Sequence, residues 1–322
     1  MAGAGNGRIA CGDASVVSAS LSPGVLLLPL GAGLGYACGA IAVKRSLGAG
    51  VSGHWVNFFC NIALSLVFQI FWCFPGAPVK HLTFLAPVVC GILFFLGQIA
   101  TFRAIASGDV SVATPLLGAK VILVALFSLF LIGQALPAAW WFASVLASVG
   151  IALISYSPGG QHRRLAVTVG WSLGAASLFA LTDVLVQHWV PLVGYSRFAP
   201  IMFGTTGISS FIYLPALLKE WTHAQANSQK TSFSSKGMPW LLGGALLLAL
   251  QAVSMYSAIG LYGSATLTNI LYGSRCLWSV LLVWIFSSLA GEADSSANRS
   301  VVMGWRFAGA LLLFCAMALV LH

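Results

Sequence analysis

Apolar residues in this chain come in long runs, about 20 residues each, broken by short polar connections. Ten such runs fall at about 25–43, 55–74, 84–104, 110–132, 138–156, 168–189, 198–217, 239–259, 264–288 and 303–321. Each is long enough to cross the hydrocarbon core of a bilayer as a helix. A polar leader, residues 1–24, precedes the first run. Because that run begins only near Val25, no signal peptide is expected. The longest polar connection, Lys219–Gly237, is rich in Ser, Gln, Asn and Lys and reads as a loop. The pattern predicts an all-α integral membrane protein of ten transmembrane helices with no room for a soluble domain.

The runs repeat. Gln98 lies late in the third and Gln251 late in the eighth. Leu117-Gly118-Ala119-Lys120 in the fourth answers Tyr272-Gly273-Ser274-Arg275 in the ninth, and Leu131-Ile132-Gly133-Gln134 answers Leu289-Ala290-Gly291-Glu292. Phe142-Ala143-Ser144-Val145-Leu146 in the fifth answers Phe307-Ala308-Gly309-Ala310-Leu311 in the tenth. The common order predicts two halves, 25–160 and 161–322, of five helices each. Five is odd, so the halves enter the membrane in opposite directions. This inverted repeat is an architecture of secondary transporters, whose sites lie near the midplane between the halves.

Composition fits the pattern. Of 322 residues, 59% are apolar and 7% charged, with mean hydropathy +0.95. Soluble domains carry near 25% charge, so soluble and disordered classes are excluded. A net charge of +9 in a soluble protein would suggest nucleic acid; here the basic residues sit between apolar runs and no nucleic-acid partner is expected. The seven cysteines include no C-x-x-C pair, which argues against a disulfide framework or zinc site. No cofactor and no metal are expected.

The segment Ala104-Ile105-Ala106-Ser107-Gly108-Asp109-Val110-Ser111-Val112-Ala113-Thr114-Pro115-Leu116 resembles the exit of helix three, the polar turn and the proline-bearing start of helix four in the EamA-type carriers of the drug/metabolite transporter superfamily. Gly291-Glu292 resembles that family's Gly-Glu step after the fourth helix of a repeat, where the first half carries Gly133-Gln134. The resemblance spans about 25–321 and implies a multi-pass membrane transporter rather than an enzyme.

Ionisable groups inside a bilayer cost about 2.5–3.5 kcal/mol on insertion scales and mark function by default. Lys120 lies near the middle of run four, Arg275 near the middle of run nine, and Asp183 in the second half of run six. On an unbroken helix Thr268, Tyr272, Arg275 and Ser279 share one face. Two readings follow: an interhelical tie from Asp183 to Lys120 or Arg275, which leaves one cation without an acid, or a cavity offering positive charge to an anionic substrate. Gln98, Gln251, Tyr256 and Asn269 are further candidates, for substrate contact or for interhelical hydrogen bonds. Gly31, Gly35 and Gly39 form a small-residue ridge suited to close helix packing. The superfamily's sugar-phosphate/phosphate translocators carry a lysine in the fourth helix and a Lys-Arg pair in the ninth. Lys120 and Arg275 fall at comparable positions, with Ser274 in place of the pair's lysine.

Gly170-Trp171-Ser172-Leu173-Gly174 fits the G-x-S-x-G pattern but lies in a continuous apolar run, not at a strand-turn-helix elbow. Asn298-Arg299-Ser300 is a glycosylation sequon that matters only in a secretory lumen.

Charge also predicts orientation. Lys44, Arg45, Arg103, Arg163, Arg164, Lys219, Lys230, Lys236, Arg299 and Arg306 follow odd-numbered runs, against Arg8, Lys80 and Arg197 on the other side. The richer side should be cytoplasmic, with both termini outside; the family resemblance implies both termini inside. The expected protein is a carrier of a small anionic metabolite in the plasma or inner membrane, surrounded by lipid, as a monomer or homodimer. An exporter of amphipathic or cationic compounds is the alternative within the class, and a scaffold or lipid-handling protein the alternative outside it.

Overall fold

The computed structural model describes residues 23–76, 81–107, 116–155, 165–226, 236–285 and 299–321. Every regular element among them is helical. In chain order these are α1 (Pro23–Gly48), α2 (Gly53–Gln69), α3 (His81–Ser107), α4 (Lys120–Ile132), α5 (Ala138–Ser155), α6 (Leu165–Val193), α7 (Tyr195–Ser209), α8 (Leu214–Ala226), α9 (Met238–Tyr262), α10 (Ala265–Tyr272), α11 (Arg275–Ile285) and α12 (Arg299–Leu321). Short 3₁₀ turns, Ile70–Cys73 and Ser210–Tyr213, extend α2 and join α7 to α8. The leader before Pro23, the turn 108–115, Gly291-Glu292, Asn298, Arg163, Arg164, Lys80 and Lys230 lie outside the described residues.

Among the described residues eight helices are long and apolar enough to cross a membrane, with α7 and α8 counted together as one. They correspond to eight of the ten expected runs. The other two are where the structure departs from the expectation of continuous helices. Run four breaks at Gly118-Ala119, with Leu116 and Leu117 helical before the turn and α4, 13 residues, after it, and run nine is split into α10 and α11. Hydropathy is continuous across both breaks, so pattern alone cannot see them.

Local chemistry sets the ends. Ser52 caps α2 by accepting the backbone N–H of Trp55. Gly133 ends α4 and Gly263 ends α9, both with φ of 64°. That left-handed turn is cheap only for glycine. Large side chains such as Phe130 (76% exposed) and Ile208 (74%) project outward, as a lipid-facing surface requires. Arg45 stacks on Trp240, Arg103 on Trp171 and Arg197 on Trp72, which joins basic and aromatic anchors at helix ends.

The tightest packing runs between the two halves of the chain. α1 lies along α9, α3 along α6, and α5 along α12, while α2 meets α7 and α4 meets α10. Small residues make this possible. A Cβ on Gly150 would sit 2.8 Å from the Gly309 carbonyl, and one on Gly309 would sit 2.6 Å from the Gly150 carbonyl, so α5 and α12 touch backbone to backbone. Of the expected α1 ridge, Gly35 meets Gln251 and Gly39 meets Leu248 of α9. Gly31 has open space, and its place is taken by Gly33, which faces Ser274 and the backbone of Arg275. One core gathers Phe68, Val124, Val184, Phe203 and Met255; a second gathers Val121, Ala147, Ile151, Ile270 and Leu313.

Candidate functional site

Both broken helices resume on a cation. Ahead of α4, Gly118 and Ala119 form a turn in which the Ala119 N–H bonds the Leu116 carbonyl and the Val121 N–H the Gly118 carbonyl. Lys120 is then the first residue of α4. Between α10 and α11, Gly273 and Ser274 form the matching turn, with the Ser274 N–H on Leu271 and the Cys276 N–H on Gly273. Arg275 is the first residue of α11. Gly273 is needed here, because a Cβ would come within 2.9 Å of the Ile270 carbonyl. The four-residue correspondence read from the sequence therefore falls on two helix breaks. The stripe Thr268, Tyr272, Arg275, Ser279 is not one helical face, because the break divides it. Thr268 is buried, and Ser279 donates to the Arg275 carbonyl at 2.7 Å.

Lys120, Asn269, Tyr272 and Arg275 line one small cavity, closed by Leu117, Gly118, Val121, Ile151 and Gly273. Its volume of about 10 Å³ holds about one water molecule at most. The two cations have different surroundings. Lys120 Nζ bonds Asp183 Oδ2 at 2.7 Å, with the Asp183 side chain fully buried and that of Lys120 14% exposed. Asp183 projects from α6 and accepts two further bonds. Asn269 Nδ2 donates to Oδ2 at 2.7 Å, and the Tyr256 hydroxyl donates to Oδ1 at 3.2 Å. The Phe179 ring lies 5.8 Å from Lys120 Nζ.

Arg275 has aromatic company instead. Its guanidinium sits 4.7 Å from the centre of the Tyr272 ring and 5.2 Å from that of Tyr36. The two rings meet edge-on at 6.1 Å, and the Tyr272 hydroxyl donates to Gln251 Oε1 at 3.0 Å. The described residues include two acids, Asp183 and Glu220. Glu220 accepts from Ser52 at 2.7 Å and pairs with His54 at 2.8 Å. No carboxylate among the described residues therefore pairs with Arg275.

Of the sequence candidates, Lys120, Asp183, Asn269 and Tyr256 form one network, and Arg275, Tyr272 and Gln251 another beside it. Gln98 joins neither; its Oε1 is buried without a hydrogen-bond partner. Two contributors were missed. Tyr36 is a lone phenol in a glycine-rich run, a signal that invited reading as packing. Gln187 accepts the Ala265 N–H at 2.7 Å and donates to Gln134 at 2.8 Å, which ties the start of α10 to the end of α4 through α6.

Residues 22–156 match the EamA-like transporter family. The match covers less than half of the chain, and with the apolar helices it supports a multi-pass membrane protein of the drug/metabolite transporter type. No curated protein matches the chain in sequence. One solved crystal structure superposes with a TM-score of 0.66, over 92% of this chain and 95% of that one, at 14% identity. At that identity the likeness speaks for the fold alone.

Proposed function

We propose that the protein is a secondary transporter that moves a small anionic metabolite by alternating access. One observation carries the reading: Arg275 stands in a cavity wall at a helix break, framed by two tyrosine rings and without a carboxylate among the described residues. A guanidinium so placed binds a carboxylate or phosphate bidentately in a setting of low dielectric, where charge-assisted hydrogen bonds gain strength. Its tyrosines repay part of its desolvation through their ring faces. Lys120 adds positive charge across the same cavity while Asp183 holds it in place. Tyr272, Asn269, Gln251 and Tyr256 would set the shape and hydrogen bonding of the site; Thr268 and Gln98 would support the helices around it.

The mechanism follows from the breaks. In this reading α4 with its preceding turn, and α10 with α11, each complete a crossing, which gives ten spans in two inverted halves, 25–160 and 161–322. The pairing of α1 with α9 and of α3 with α6 supports this, since the first span of either half lies along the third span of the other. A cavity of about 10 Å³ does not admit a metabolite, so the halves must part on one side and then the other. The resemblance to sugar-phosphate translocators suggests phosphate esters as the first class to try. Export of cations fits less well, because Asp183 is already engaged by Lys120, Tyr256 and Asn269.

Counterflow in proteoliposomes tests the reading, with inorganic phosphate, sugar phosphates, nucleotides, dicarboxylates and amino acids as substrates. At least one anion should exchange, and Arg275→Gln should abolish that exchange in protein that still elutes as a single species. Exchange at the wild-type rate by Arg275→Gln, or exchange of cations alone, would overturn it.

A further inference from the structure

We propose that Asp183 is a proton-carrying carboxylate, and that the protein moves its anion together with a proton. The inference rests on the anion reading above and adds the coupling ion to it. Asp183 is the fully buried acid of the site, and its two oxygens have separate duties. Oδ1 accepts from the Tyr256 hydroxyl, while Oδ2 accepts from Asn269 and Lys120. Of these three partners only Lys120 carries charge. Lys120 is also the member of the pair that lines the cavity shared with Arg275. An anion gripped by Arg275 therefore meets the ammonium next and draws it from Oδ2.

The carboxylate left behind has no exposure to water and no second cation of its own. The helices packed on α6 offer it the Cys90 thiol from α3, Lys120 from α4, the apolar Phe203 from α7, Tyr256 from α9 and Asn269 from α10. Neutral hydrogen bonds do not balance a buried charge, so the group neutralises instead. A proton from the aqueous side then open to the site leaves a hydronium ion or a buffer acid and forms an O–H bond on Oδ2, the atom Lys120 has vacated. On the other side the anion departs, Lys120 returns to Oδ2, and the proton is released to water. The charge count agrees. Lys120, Arg275 and Asp183 together carry one positive charge, and a dianion with one proton brings the site to neutrality. A dianion alone would leave it negative.

The test uses the full chain in proteoliposomes with a pH-reporting dye inside and the membrane potential clamped. Inorganic phosphate, malate, glucose 6-phosphate and lactate are added outside in turn, with tracer uptake measured beside lumen pH and protein-free vesicles as baseline. Dianion uptake should acidify the lumen in step with the tracer, and Asp183→Asn should reduce acidification to the baseline. Uptake of a dianion without acidification in the wild-type protein overturns the proton role and leaves the anion reading standing. Acidification that persists in Asp183→Asn overturns it as well. Uptake of none of the four anions by the wild-type protein overturns both. If Asp183→Asn does not fold, the wild-type ratio of protons to anion decides alone.

Discussion

The breaks before α4 and before α11 share a design, a glycine-led turn followed at once by a cation, yet the two cations have opposite surroundings. Lys120 has a fully buried carboxylate at 2.7 Å. Arg275 has ring faces at 4.7 and 5.2 Å. A buried ion pair held by further hydrogen bonds is a structural commitment, since removing one member strands the other. A guanidinium between tyrosines has no carboxylate partner among the described residues, so removing it strands no described acid. In the proposed reading the two cations divide the work, Arg275 binding the anion and Lys120 tied to Asp183 until the anion arrives.

Mutation should separate the two roles. The largest effect on stability is expected at the paired cation. Lys120→Gln leaves Asp183 buried and unpaired, and should destabilise the protein by about 3–5 kcal/mol. Arg275→Gln orphans nothing and should stay within about 1 kcal/mol of wild type. Thermal melting of both variants in one detergent checks this, and equal melting points would erase the distinction. Next comes Arg275→Lys, which keeps the charge but loses the bidentate fork; anion affinity should fall about tenfold, roughly 1.4 kcal/mol. Competition binding measures it, and unchanged affinity would show that charge alone suffices. Tyr256→Phe removes one of the three bonds to Asp183 and should cost about 1 kcal/mol of stability. Its cost should be lost in the Asp183→Leu background, where no acceptor remains, which a double-mutant cycle reads directly. The smallest effect is expected at His54, 53% exposed beside Glu220. His54→Gln should shift stability by no more than about 1 kcal/mol, because surface pairs are worth little.

Much of this was legible in the sequence, though unevenly. The apolar runs located eight long helices because hydropathy reports length directly. The match between Gly118-Ala119-Lys120 and Gly273-Ser274-Arg275 marked two segments that the structure brings to one cavity. What it could not give was the interruption of the helices, since a two-residue turn inside an apolar run leaves hydropathy unchanged. For that reason Thr268 was placed on a polar stripe that does not exist. The choice of acid partner was equally hidden. Asp183 could tie to either cation on sequence grounds, and only the packing of α6 on α4, which sets Oδ2 2.7 Å from Lys120 Nζ, decides for Lys120. Tyr36 escaped notice because an aromatic residue in a membrane helix carries no mark of which face it occupies.

The Lys120–Asp183 pair also has a history within each molecule's synthesis. Lys120 leaves the ribosome with α4, and its counter-charge arrives only with α6, after α5 has been made. Through that interval the ammonium must remain at the lipid headgroups or in the insertion channel, because hydrocarbon offers it nothing. α4 therefore settles to its final depth only when α6 comes to meet it. The bond that fixes the finished protein is thereby also the step that times its assembly.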